Sequence, residues 1–156
     1  MEYVKSKNIP ILMFAVDFEK AFDSIEHNFV IATLRQYGFA ENFIKWMKLL
    51  LSDNQSCIMI NGYITDFFQV NRGTKQGNPI SPYTFILILE IMATMIRNCE
   101  DIQGLKLRDK EIKLVLFADD STFFMKNNIS FKKVLQNLEL FYCFSSLTLN
   151  LKKIVV

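Results

Sequence analysis

The sequence predicts an α+β fold, a mainly antiparallel sheet with helices packed on one face, and three observations predict it. Short apolar runs of strand length recur along the chain, each cut by turn residues or by acidic clusters. Longer segments carry their apolar residues at helical spacing instead. An Asn61-Gly62 dipeptide joins two strand-like runs, and it signals a hairpin because both residue types tolerate positive φ.

The elements follow in order. Ile9 to Asp17 is nearly continuously apolar, as a strand covered on both faces would be. It stops at the acidic cluster DFEKAFD. Asp23 or Ser24 then caps a helix that runs to about Tyr37, where Gly38 ends it. A second helix starts near Glu41. Its residues Phe43, Trp46, Met47, Leu50 and Leu51 form one apolar face, read as core. SCIMINGYITDFFQV is the hairpin. The loop NRGTKQGNP leads into a long apolar helix from about Ser81 to Arg97, with Pro82 in its first turn, where a missing N–H costs nothing. After Gly104, the sequence LKLRDKEIKLVLFADDSTFFMK reads as strand, turn, strand, tight turn, strand. A helix from about Ser130 to Ser145 and a final strand-like piece, LTLNLKKIVV, complete the pattern.

With 156 residues, one compact domain over residues 1–156 is expected. Apolar residues make up 51 % and aromatic residues 13 %, with fifteen Phe, which excludes a disordered tail. Eighteen Lys and Arg face sixteen Asp and Glu, so charge by itself does not suggest a polynucleotide partner. Cys57, Cys99 and Cys143 lie far apart in apolar settings. They read as buried thiols of a reducing, intracellular compartment, with no metal-ligand spacing. The single His27 cannot make a histidine-based metal site. The apolar run from Tyr83 to Ile96 is interrupted by Glu90 and is too short to span a bilayer. The N-terminus lacks a signal-peptide layout, and no membrane partner is expected.

Two acidic sites interrupt strand-like sequence. Asp17 ends one run, and Asp119-Asp120 sit between LVLF and STFF. A tight turn can hold two carboxylates at a sheet edge, and Asp17 joins them if its strand pairs beside that hairpin. Three carboxylates at one point repel and call for cations. Magnesium is the expected counter-ion, since it takes oxygen ligands and substrate phosphates. Neither acidic site is specific alone, because Asp is common in turns.

Read together and in order, VDFEKAFDSIEH, RGTKQGNPISPYTFILILE and LFADDSTFF resemble the palm motifs of reverse transcriptases, in particular those of non-LTR (LINE-type) retrotransposons. INGYITDFFQVNRG, EIMATMIRNCEDIQGLKL and SSLTLNLKK are similar to the same family, so the resemblance runs from about Ile11 to Lys153. It implies an RNA-directed DNA polymerase that takes an RNA template, a DNA primer and deoxynucleoside triphosphates. It also implies two magnesium ions, with manganese a possible substitute. Asp17, Asp119 and Asp120 match the metal-binding aspartates, and Phe18 would lend its backbone carbonyl. Phe22 matches the steric gate under the incoming sugar. Gln76 and Gly77 match residues lining the nucleotide pocket, and Lys153 the lysine near the departing pyrophosphate.

Ser146 stands where the family usually has glycine, and Ile154 where a small hydroxyl residue is common. Asn78 replaces a residue that is more often Asp or Cys, and Thr84 occupies a usually apolar position. By the same resemblance the chain is a fragment lacking most of the fingers and the thumb, weakly active at best by itself. The family acts in the nucleus and in cytoplasmic ribonucleoprotein. The alternative is a catalytically inactive retroelement remnant that keeps the palm fold as a binding or scaffold module. Oligomeric state is not legible in the sequence.

Overall fold

The computed structural model describes residues 10–52, 54–74, 77–117 and 120–150. Its centre is a three-stranded antiparallel sheet in the order β1-β10-β9, built from β1 (Leu12–Val16), β9 (Leu114–Phe117) and β10 (Asp120–Met125). β1 runs along β10 with Leu12 opposite Met125 and Val16 opposite Ser121. β9 pairs with β10 from Leu114–Phe123 to Phe117–Asp120. Alternation sorts the side chains. Phe14, Val16, Phe123 and Met125 are buried, while Met13, Ala15, Thr122 and Phe124 between them are half-buried. The strand expected to be covered on both faces is therefore covered deeply on one. Phe14 contributes rings to Phe123, at 6.0 Å between centroids, and to Phe131, edge-on at 5.4 Å. Such pairs add roughly 0.5–1.5 kcal/mol beyond burial.

The chain continues through β2 (Phe18–Glu19), which pairs antiparallel with β11 (Thr148–Leu149). A four-residue turn of helix, α1 (Ala21–Ser24), follows, and then α2 (His27–Gln36). Here the expected single helix from Asp23 or Ser24 is corrected. Ile25 is extended and fully buried, and the residue before α2 is Glu26, whose side chain makes no cap bond. Drawing Ile25 into the core interrupts the helix. Its expected end is found, with Gly38 at φ 76° just past Tyr37.

In α3 (Glu41–Ser52) the buried residues are Ile44, Met47 and Leu51. Phe43 and Leu50 are exposed, and Trp46 is 67 % exposed. Of the expected face, Met47 and Leu51 lie in the core as read, while Phe43, Trp46 and Leu50 are a correction: Ile44 is buried in their stead. Two apolar stripes lie side by side on this helix, and packing against α2 selects the aliphatic one.

The hairpin β4 (Met59–Ile60) and β5 (Tyr63–Ile64) turns at Asn61 (φ 50°) and Gly62 (φ 84°), as its dipeptide requires. It is flanked by β3 (Gln55–Ser56) pairing with β6 (Phe68–Gln69). Helix α4 (Ser81–Asn98) starts with Pro82 in its first turn and buries Phe85, Ile88, Leu89, Met92 and Ile96. It packs against α2, α5 and β9. β7 (Leu105–Leu107) and β8 (Lys110–Ile112) form a second hairpin. Helix α5 (Asn128–Ser145) opens with the Asn127 side chain accepting from the Ser130 N–H and lies on β10. The helices cover one face of the sheet and give the expected α+β architecture.

The cysteines differ from expectation. All three are free thiols, but Cys57 and Cys99 are only partly covered and Cys143 is exposed. Among the described residues no helix is long and apolar enough to cross a membrane.

Candidate active site

Asp17 immediately follows β1, and Asp120 opens β10. The last pair of the β1–β10 ladder is Val16 with Ser121, the residues next to Asp17 and Asp120, so the two acids lie at adjoining ends of paired strands. Alternation along β10 puts Asp120, next to the buried Ser121, on the face away from the helices, while Asp17 lies between the core residues Val16 and Phe18. Asp17 is 8 % exposed while Asp120 is exposed. The Asp17 carbonyl accepts from the Asn150 N–H at 2.8 Å, which ties the chain after β11 to the same spot.

Phe18 is buried, its ring edge-on to Phe85 at 6.4 Å. Its side chain is thus committed to the core, and only its backbone faces the site. Phe22 is partly buried and tilted against Phe85 at 4.8 Å. It also borders a cleft of about 530 Å³ with Gly77, Asn78, Pro79, Ser81 and Pro82. Two positions singled out in the sequence, Phe22 and Gly77, are thereby brought to one opening. Asn78 shapes its rim: its Oδ1 accepts from the Ile80 N–H at 3.1 Å and its carbonyl from the Ser81 N–H. The Thr84 hydroxyl, unusual for its position, donates to the Ile80 carbonyl at 3.0 Å. Ser146 closes α5 in the left-handed region, φ 59°, which accounts for glycine being the usual residue there. Gln76, Asp119, Lys153 and Ile154 lie outside the described residues.

Sequence reading missed the way the RGT segment is fastened. Gly73, at φ 80°, donates its N–H to the Ile25 carbonyl and accepts at its carbonyl from His27 Nε2, both at 2.8 Å. The Thr74 N–H donates to the Phe22 carbonyl at 2.7 Å, and Arg72 pairs with Glu26 at 3.0 Å. The signal that could have found it is a glycine followed by a small residue ahead of the QGNP turn, with the chain's single histidine upstream.

The oxygen donors at the strand ends, two carboxylates with a third adjacent in sequence and a backbone carbonyl, are of the kind that magnesium takes. Among the described residues no set of three metal-ligating side chains forms.

Comparison with known proteins bears on family and fold. A family model described as "Reverse transcriptase (RNA-dependent DNA polymerase)" matches residues 2–156. Curated relatives include the transposon TX1 uncharacterized 149 kDa protein of Xenopus laevis, 25 % identical over 98 % of this chain and 12 % of its own length. The Pol polyprotein of the type-1 retrotransposable element R2 of Popillia japonica is 28 % identical over 90 % of this chain and 20 % of its own. That of R2DM from Drosophila melanogaster is 28 % identical over 88 % and 13 %. The chain therefore spans 12–20 % of the length of these relatives. Among solved structures, apo telomerase from Candida tropicalis superimposes with a TM-score of 0.70 at 17 % identity, over 99 % of this chain and 32 % of that one. Telomerase from Candida albicans with a fragment of telomeric RNA gives 0.72 at 10 % identity, over 99 % and 28 %. At such identities the likeness is one of fold, the palm architecture.

Proposed function

Because this chain belongs to the reverse transcriptase (RNA-dependent DNA polymerase) family, we propose that it extends a DNA primer with deoxynucleotides on an RNA template at the end of the sheet where Asp17 adjoins Asp120. The observation that carries the reading is the β1–β10 register. It brings together, at adjoining strand ends, two acids that are a hundred residues apart in sequence.

Asp17, Asp119, Asp120 and the Phe18 carbonyl would hold two magnesium ions, with manganese a possible substitute. When bound, these supply positive charge to the attacking and leaving oxygens of phosphoryl transfer. The protein's own part is positioning and charge neutralisation. Phe22, braced by Phe85, would exclude a ribose 2′-hydroxyl from the incoming sugar. Gly77 would leave room for close approach of a nucleotide, and Gln76, the residue before it in the sequence, would line the same pocket. Lys153, three residues beyond the Asn150 that bonds to Asp17, would donate a proton to, or pair with, the departing pyrophosphate. Template bases are read by pairing, so no base-specific side chains are required. An RNA partner is supported by the Candida albicans telomerase, a protein that contains this fold and was solved in complex with a fragment of telomeric RNA.

Primer extension on an RNA template with magnesium tests the proposal. Wild type should add deoxynucleotides, and Asp17→Asn should slow addition by ~10²-fold or more, the loss typical when one charge-stabilising group is removed. Equal inertness of both, with retained primer-template binding, would replace the polymerase reading by a scaffold.

A further inference from the structure

We propose that His27 is a positioning residue: it clasps the Arg72–Thr74 segment to residues 22–26 and so sets the cleft wall that Phe22 and Gly77 share. Its effect on nucleotide selection rests on the polymerase reading above. The clasp itself rests on geometry.

The Gly73 peptide is held from both sides. Its N–H goes to the Ile25 carbonyl and its carbonyl to His27 Nε2, each at 2.8 Å. A carbonyl can only accept, so Nε2 must carry the hydrogen. Gly73 can lie this close because it lacks a side chain: a Cβ there would stand 2.6–2.7 Å from Asp23 backbone atoms. One residue on, the Thr74 N–H is bonded to the carbonyl of Phe22 itself. The clasp thus ties the Arg72–Thr74 segment to the backbone of the residue that carries the Phe22 ring, and Gly77, which borders the same cleft, follows three residues later in the sequence.

Among these ties, the Arg72–Glu26 pair is largely solvent-exposed on the Arg side and contributes little. The half-buried imidazole bonds to the backbone of the segment, and it sits at the first turn of α2, where the rigid helix fixes it. A histidine placed there and donating across 46 residues does more than satisfy its own polarity. It helps to decide where the Arg72–Thr74 segment rests.

The test compares the full chain with His27→Met, which keeps volume but removes the donor, and His27→Gln, which restores an N–H donor. Hydrogen–deuterium exchange of residues 70–78 should quicken about three- to tenfold in His27→Met, the range expected from losing one hydrogen bond. Exchange in β1 and β10 should stay unchanged, and His27→Gln should return near to wild type. In primer extension the same variant should raise the deoxynucleotide KM more than it lowers kcat, and should admit more ribonucleotide. Unchanged exchange at 70–78, a rise spread equally over β1 and β10, or a Gln variant as perturbed as Met would each overturn the clasp. A wild type unable to extend primers would overturn the polymerase reading alone, and the exchange pattern would still decide for or against the clasp.

Discussion

Replacing Gly73 by alanine isolates the closest backbone approach in the candidate site. Two costs act together. Alanine must adopt φ +80°, and a side chain in the left-handed region costs about 1–2 kcal/mol. Its Cβ would also lie 2.6 Å from Asp23 Cα and 2.7 Å from the Asp23 carbonyl carbon and oxygen, all of them backbone atoms that cannot rotate away. Relieving such overpacking typically costs about 1–3 kcal/mol. Together they predict a loss of about 2–5 kcal/mol. Two controls separate the parts. Gly62→Ala has φ +84° with nothing within 4 Å, so it bears the first cost alone. Gly104→Ala meets the Ile112 carbonyl without a positive φ, so it bears only the second. Urea unfolding followed by circular dichroism measures all three. The reasoning fails if Gly73→Ala is no more destabilising than Gly62→Ala.

Further outcomes follow from the same contacts. Ser146→Gly should stabilise by about 1 kcal/mol, because glycine takes the left-handed position at the end of α5 without strain, and a thermal melt will show it as a rise in Tm. Phe22→Val should increase ribonucleotide incorporation in primer extension, with some loss of stability from its contact with Phe85; unchanged discrimination would remove Phe22 from the sugar site. The Tyr142 hydroxyl is buried and has no partner among the described residues, and burial pushes its pKa well above the usual 10.0. A raised folded pKa means stability that is full below pH 10 and lost as pH climbs past it. Tyr142→Phe should therefore leave stability near pH 7 equal or higher and flatten the alkaline decline, as pH-dependent denaturation will show.

The sequence was most informative where local chemistry decides structure. Asn61-Gly62 announces its turn because few other pairs take two positive φ values. Pro82 marks a helix start for an equally local reason, whereas the helix read from about Ser130 begins at Asn128 behind the Asn127 cap. The end of β1 at Asp17 was legible because a charge terminates an apolar run. The face of α3 was legible only in part: Met47 and Leu51 were read as core and are buried, but Phe43, Trp46 and Leu50 beside them make as good an apolar stripe as Ile44, and only the packing surface of α2 chooses between them. Ile25 looked like mid-helix for the same reason, since its burial depends on what lies beneath it. Cys143 looked buried because its neighbours are aromatic, yet it faces outward on α5. Of the site, the residue types were readable but their meeting was not. That Asp17 and Asp120 lie at adjoining strand ends depends on a register set a hundred residues apart, and the bond from His27 to Gly73 joins two segments no local pattern connects.

Manganese, used as a paramagnetic probe, asks directly whether these acids share an ion. Added to isotope-labelled protein, it should broaden the amide signals of residues 16–18 and 119–121 together and at the same concentration, with both effects lost in Asp119→Asn. Broadening of one strand end without the other, or broadening that survives that substitution, would mean the carboxylates at the sheet edge do not form a common cation site.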